Sequence, residues 1–227
     1  MRLNKFIAAA IGCSRREADN LISTKQISIN GQVAKIGAQV EVANGDLVKL
    51  HDKLLSLPKN RTLVMLNKPV GYVSSRRAQA KDAKTLYELL PEKYRRLKTV
   101  GRLDQNSSGL ILLTDDGDFA FQMTHPKFAK TKVYLVKLDK ALEPLHQQVI
   151  SDFGVDLPDG KSQLYLEKLD DNRREWRVTM SEGRNRQIRR TFDSLGYIVV
   201  GLHRIDFGKF SLGDLQSGYW QELKDML

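Results

Sequence analysis

The chain has a single cysteine, Cys13, which excludes an intramolecular disulfide framework and a cysteine-rich zinc site. A reducing, cytoplasmic setting is the expectation that follows. Long apolar runs are missing as well. Stretches such as Leu110 to Leu113 fall far short of the roughly 20 residues a membrane helix needs, so no membrane partner is expected. Met1 to Lys5 opens no apolar segment with a small-residue cleavage site, which argues against secretion. Histidine is scarce, and His51, His125, His146 and His203 are too widely spaced to pair as metal ligands on a helix face. Acidic residues are in deficit: 27 Asp and Glu against 37 Lys and Arg leave a net charge of +10 over 227 residues. That excess favours a polyanionic partner and says nothing about chemistry.

What is present describes a folded chain. Hydrophobic residues make up 41% and charged residues 28%, a balance that excludes disorder over most of the length. A chain of this size buries roughly 70% of its unfolded surface, enough for one large domain beside a small one. Both parts are basic. Residues 1–60 carry nine Lys and Arg against five Asp and Glu, and residues 61–227 carry 28 against 22. Two nucleic-acid-facing surfaces fit this better than a neutral body with a sticky arm.

The expected division is a small module over 1–50, a linker over 51–60 and a larger domain over 61–227. In the module, Leu3, Phe6, Ile7 and Ala10 recur at helical spacing, and Gly12 ends that helix. Ser14-Arg15-Arg16-Glu17 is a capping box opening a second helix, with Ala18, Leu21 and Ile22 on one face. Period-two segments follow at Ile27 to Gly31, Val40 to Val42 and Leu47 to Leu50, with turn chemistry at Asn44-Gly45-Asp46. A basic pair at a helix start opposes the helix dipole, so Arg15 and Arg16 suggest a use beyond ordinary solvation. This run resembles the S4 RNA-binding domain through Arg2-Leu3-Asn4-Lys5-Phe6, Ser14 to Ala18 and Ile29-Asn30-Gly31. Lys25-Gln26 departs from the glycine and basic residue usual there. The resemblance implies RNA contacts at Arg2, Lys5, Arg15 and Arg16.

Beyond residue 61, strand-like runs appear at Leu63 to Leu66, Leu110 to Thr114, Val133 to Leu138, Leu164 to Leu169, Trp176 to Met180 and Tyr197 to Val200. Helical runs appear at Thr85 to Leu90, Asp118 to Thr124, Leu145 to Asp152 and Arg186 to Leu195, the last closed by Gly196. Without a regular βαβ rhythm, this predicts an α+β domain with a mixed, mostly antiparallel sheet flanked by helices.

Several motifs fail on spacing. Gly154 to Ser162 has five residues between its glycines where a phosphate-binding loop needs four, and Pro158-Asp159-Gly160 reads as a turn. Asp-Phe-Gly occurs at 152–154 and 206–208 without any companion kinase motif. Asp115, Asp116 and Asp118 miss the calcium-loop spacing and read more simply as a turn and helix cap, leaving a metal-dependent nuclease as a weaker alternative.

Two segments remain. Gly101-Arg102-Leu103-Asp104-Gln105-Asn106-Ser107-Ser108-Gly109 is a polar loop before a very apolar strand, a way to hold out a reactive carboxylate or, equally well, a surface ion pair at a turn. Residues 173–190 hold seven arginines and only two acids. Arg184, Arg186, Arg189 and Arg190 suit planar, bidentate recognition of phosphate or carboxylate, the plainer alternative being a solvated arginine face.

With Leu66-Asn67-Lys68-Pro69-Val70-Gly71, Val100 to Asp104, Ser108 to Thr114, Thr124-His125-Pro126, Lys132-Val133-Tyr134, Glu182 to Arg190 and Leu202-His203-Arg204 in order, the chain resembles the RsuA/RluB-type rRNA pseudouridine synthases. The resemblance implies a catalytic Asp104, a base-contacting Tyr134, a partner Arg189 for the aspartate, and Arg102 holding the flipped-out state. Arg184, Arg186 and Arg190 join the RNA contacts. Ribosomal RNA, free or in an assembly intermediate, is the implied partner, and a monomer is expected. Val133 and Thr191 depart from the usual threonine and methionine.

Isomerising uridine exchanges a C–N for a C–C glycosidic bond without redox or an added group, so neither cofactor nor metal is expected. A free aspartate has a pKa of roughly 3.9 and is ionised at neutral pH, and an Arg189 ion pair would lower it further. The competing reading is a non-enzymatic S4-type RNA-binding or ribosome-assembly protein in which Asp104 is structural.

Overall fold

A computed structural model describes residues 1–58, 60–76 and 83–224; residue 59 of the expected linker lies outside them. The N-terminal unit begins with α1, Leu3–Ile11, which buries Leu3, Phe6 and Ile7 and stops at Gly12 with φ 73°. α2, Arg15–Ser23, opens with both halves of the capping box: Glu17 N donates to Ser14 Oγ at 3.1 Å and Ser14 N donates to Glu17 Oε2 at 2.7 Å. Such a cap contributes about 1 kcal/mol. Lys25, standing where glycine is usual, holds the left-handed backbone the turn requires, with φ 58°. The turn is therefore kept, at a cost of roughly 1–2 kcal/mol.

Four short antiparallel strands follow: β1 Ile27–Ile29, β2 Gln32–Val33, β3 Val48–Leu50 and β4 Lys53–Leu54, in the order β2-β1-β3-β4. Two expectations change here. Val40 to Val42 does not form a strand: Val40 is buried outside any strand and Val42–Asn44 is a 3-10 turn. Asp46 Oδ2 accepts from Glu41 N at 2.8 Å and closes that loop on itself. The linker also gives way. His51, with φ 51°, turns the chain into β4, and Leu55 and Leu57 pack into the N-terminal core. A tight hairpin turn was invisible in a segment without glycine.

The larger domain is built on one mixed sheet and a small separate hairpin, its strands being β5 Leu63–Lys68, β6 Lys98–Val100, β7 Ser108–Thr114, β8 Lys132–Leu138, β9 Val155–Leu157, β10 Gly160–Ser162, β11 Tyr165–Lys168, β12 Glu175–Met180, β13 Val199–Phe207, β14 Phe210–Ser211 and β15 Trp220–Glu222. The main order is β11-β12-β8-β13-β7-β5-β15, with β14 on β13, β6 on β7, and β9-β10 a separate hairpin turned at Pro158 and Asp159. Among the described strands of the sheet only β13 and β7 pair in parallel, so the sheet is mostly antiparallel as expected. Alternation sorts the core by face: Leu63 and Met65 of β5 join Leu110 and Leu112 of β7, while Val64 and Leu66 join Ile111 and Leu113. Neither cluster contains a residue before Leu63.

The helices are α3 Gly117–Thr124, α4 Pro144–Gln148 and α5 Gln187–Asp193. Leu145 to Asp152 is only partly α-helical, since a π turn takes over at Val149–Phe153. Thr85 to Leu90 forms a capped 3-10 turn, Leu86–Leu89. β13 extends well past the expected Val200. Register breaks at Val199/Gly201 and Arg204/Asp206 disrupt the alternation that would reveal it.

The β7–β13 junction depends on one glycine. Gly109 has φ +103°, and a Cβ there would lie 2.2 Å from the Arg204 carbonyl oxygen. Both strands are held by ladder bonds and cannot move aside. Gly109→Ala should therefore destabilise by about 3 kcal/mol or more, read as a lower urea midpoint.

Candidate active site

Asp104 sits in the loop between β6 and β7, and its neighbours' backbone is clamped from several directions. Ser74 Oγ donates to Leu103 O at 2.7 Å, and Gly71 N donates to Gln105 O at 2.8 Å. Arg189 Nη2 donates to Asn106 O at 2.7 Å, and Lys68 Nζ donates to Ser107 O at 2.7 Å. The chain after β5, the end of β5 and α5 thus converge on four carbonyls flanking the aspartate, one before it and three after it. Its own side chain stays free of that framework, and about a third of it is exposed.

The loop borders a cavity of about 440 Å³ whose wall includes Arg102, Asp104, Lys132, Tyr134, Arg186 and Arg204. Tyr134 is buried in β8 and lies opposite Arg204 in the β8–β13 register. Asp104, Arg102, Tyr134 and Arg186, read separately from the sequence, therefore share one site.

The expected Asp104–Arg189 ion pair is replaced by another. Arg186 Nη1 lies 3.8 Å from Asp104 Oδ2. Arg186 caps α5 with φ 47°, and Arg189 comes three residues later on the helix. Arg189 instead donates to Val199 O at 2.5 Å as well as to Asn106 O, tying α5 to both β13 and the aspartate loop. It lines a separate cavity with Ser108 and His203. Arg189 thus holds the loop and also acts on Asp104 through its charge, while Arg186 makes the ion-pair contact.

Arg184 and Arg190 are also committed within the protein. Arg190 clasps both carboxylate oxygens of Asp159, at 3.0 and 2.7 Å. Arg184 donates to Asp159, Gly160 and Lys161 and pairs with Glu182. The hydrogen bond from Arg190 and the charge of both arginines hold the Asp159 carboxyl below the usual range. These two expected RNA contacts also fasten the β9–β10 hairpin to the segment at α5. Thr191 is fully buried and shares a hydrogen bond with Ser162 Oγ at 2.8 Å, a packing position.

Lys68, Lys132, Glu182 and Arg204 belong to the site region but carried no assigned role in the sequence. All four lie in the quoted motifs; what the motifs did not reveal is the burial of Lys68 and Arg204 and the partial burial of Lys132. Lys68 is fully buried beneath the loop, donating to Pro69 O and Ser107 O, and burial brings its pKa down to about 8 despite the nearby Asp104 charge. The folded state therefore releases this proton first. Between pH 8 and the ordinary lysine value of 10.5 it holds fewer protons than the unfolded chain, so stability rises with pH through that window. Below pH 8 both states are protonated and the contribution is flat. Compared with Lys68→Met, the wild type should gain stability between pH 8 and 10, measured by urea unfolding at each pH.

The N-terminal residues stand apart from the cavity. Arg2 and Arg16 are exposed, and Arg15 Nη2 donates to Asn4 Oδ1 at 3.1 Å. Lys5 Nζ meets Asp118 Oδ1 at 2.5 Å, and Lys98 Nζ donates to Cys13 O at 3.0 Å, joining the two units. The aspartates after β7 have separate tasks: Asp115 accepts from Thr62 N, Asp116 caps α3, and Asp118 faces Lys5. Among the described residues, no helix is long and apolar enough to cross a membrane.

A small helical and β-hairpin unit, joined to a sheet that presents an aspartate, a buried tyrosine and arginines around one cavity, defines a class of RNA-modifying enzyme. Residues 62–194 match the family model for RNA pseudouridylate synthase, and residues 1–47 match the S4 domain. The chain belongs to the RNA pseudouridylate synthase family and is an RNA pseudouridine synthase. It is 37% identical to the ribosomal small subunit pseudouridine synthase A of Pasteurella multocida, over 98% of this chain and 96% of that protein. It is 35% identical to the dual-specificity RNA pseudouridine synthase RluF of Escherichia coli O6:H1, over 99% of this chain and 76% of that protein. A solved pseudouridylate synthase structure superposes with a TM-score of 0.69 at 36% identity, covering 98% of this chain and 96% of that one.

Proposed function

We propose that this enzyme isomerises a specific uridine in ribosomal RNA, with Asp104 acting at the ribose and Tyr134 packing against the base. The observation that carries the reading is the Asp104 carboxylate at the edge of a cavity, with its neighbouring carbonyls fixed and its side chain free. A carboxylate held this way meets a reacting sugar without reorganising, which is how an ordered site lowers a barrier. Arg186 supplies a counter-charge 3.8 Å from the carboxylate. Arg102, exposed two residues before the aspartate, fills the place left in the RNA stack when the uridine turns out.

Ribosomal RNA is supported by the likeness to the ribosomal small subunit pseudouridine synthase A of Pasteurella multocida and by the basic character of both units. The S4 domain captures structured RNA through Arg2, Arg15 and Arg16, with Lys5 at the junction. Unstacking the target costs a few kcal/mol, and phosphate contacts offset it. The isomerisation itself calls for no redox partner or group donor.

The test incubates purified protein with unmodified small- and large-subunit rRNA transcripts and with tRNA transcripts, followed by pseudouridine mapping. One rRNA position should convert and tRNA should stay unchanged. Conversion confined to tRNA would contradict the substrate assignment while leaving the activity intact.

A further inference from the structure

Arg204 is the most deeply enclosed arginine of the cavity wall, with only 2% of its surface exposed. Buried arginines are ordinarily matched by a carboxylate. This one has no ion-pair partner among the described residues. Among the described residues its guanidinium makes a single hydrogen bond, from Nε to Leu110 O at 2.8 Å, and its buried Nη2 has no partner there. The rest of the group lies 4.8 Å from the Phe207 ring centre and 6.0 Å from that of Tyr134. Lys132 stands in the same wall, its pKa brought down to about 8 by burial and then by the Arg204 charge. Positive charge is thus concentrated beside Tyr134, with donor capacity unused.

The reaction creates a need for that capacity. When C1′–N1 breaks, its electron pair leaves with the base, so detached uracil carries a negative charge spread over N1, O2 and O4. C5 then bonds to C1′, the C5 proton departs, and N1 takes up a proton, giving an isomer of the starting uridine. Between those events the anion needs a partner, and a fixed cationic donor buried in the wall is worth more than one in water.

We propose that Arg204 is the donor for the detached uracil, its free guanidinium edge hydrogen-bonding O2 or O4 while Tyr134 packs on the ring. The proposal rests on the cavity being the uridine site. It deepens that reading by assigning the leaving base a binding group distinct from Asp104.

The experiment uses the full-length enzyme and an rRNA transcript whose target position carries uridine, 2-thiouridine or 4-thiouridine, since sulfur accepts hydrogen bonds poorly. Wild type, Arg204→Gln and Arg204→Lys are compared by single-turnover rate, RNA dissociation constant and melting temperature. Arg204→Gln should slow the single-turnover step by roughly 100-fold, the scale of losing one such donor, with RNA binding changed by less than about 3-fold. One thio substitution should slow the wild type by about 10-fold and leave the Arg204→Gln rate unaltered, because a contact already lost is not lost twice. A folded Arg204→Gln enzyme within about 5-fold of wild type, or equal thio effects in both enzymes, overturns the proposal. Should both variants fail to fold, equal wild-type rates on all three RNAs overturn it, and a selective thio effect supports it. A wild type that converts no rRNA at all instead overturns the wider reading of the cavity, and this proposal with it.

Discussion

Asp104→Asn should abolish pseudouridine formation while leaving RNA binding nearly unchanged. Asparagine keeps the size of the side chain, and the bonds that fix this loop run to the carbonyls of Leu103, Gln105, Asn106 and Ser107, not to the carboxylate. The fold and the cavity wall therefore persist. What disappears is the negative charge at the ribose and its ion pair with Arg186. That pair is 3.8 Å long between half-exposed groups, so its loss costs at most about 1 kcal/mol of stability. Activity responds on another scale: removing a residue at the centre of a reaction lowers turnover by about 10⁴-fold or more. Single-turnover conversion should fall below detection, with RNA affinity within about 3-fold and the melting temperature within about 3 °C. Normal product from pure Asp104→Asn enzyme is the result that removes Asp104 from the chemistry.

Removing residues 1–58 should separate RNA capture from catalysis. The core clusters of the larger domain include no residue before Leu63, and the cut falls after Leu57, where the N-terminal core ends. Between the units, Lys5–Asp118 is a solvent-exposed ion pair worth under about 1 kcal/mol, joined by the Lys98 bond to Cys13 O. The shortened protein should keep a cooperative melt. Its RNA affinity should fall by roughly 100-fold near 0.15 M salt, with a shallower salt dependence as phosphate contacts are lost. Circular dichroism and filter binding read both outcomes. A body that cannot fold contradicts the division, and unchanged affinity contradicts the assignment of capture to the S4 domain.

The sequence carried the local features and lost those set at a distance. The Ser14–Glu17 capping box, the Gly12 stop and the apolar strand after Asp104 are written in adjacent residues, and each forms as read. The partner of Asp104 is not local. It depends on the left-handed backbone at Arg186, which turns that side chain toward the aspartate and leaves Arg189 to bind carbonyls. Arg184 and Arg190 resemble free RNA contacts until the β9–β10 hairpin brings Asp159 against them. Arg204 is an ordinary basic residue in the sequence. Its burial follows from β13 pairing with β8 on one side and β7 on the other, a junction that also requires Gly109.

The central claim, that this chain converts one rRNA uridine through Asp104, is tested most directly in cells. Pseudouridine is mapped across rRNA from a strain lacking the gene, then from the same strain carrying the wild-type or the Asp104→Asn gene. The expected result is one position lost on deletion, restored by the wild type and left unmodified by Asp104→Asn. An rRNA map unchanged by deletion, or a site restored equally by both genes, would contradict it.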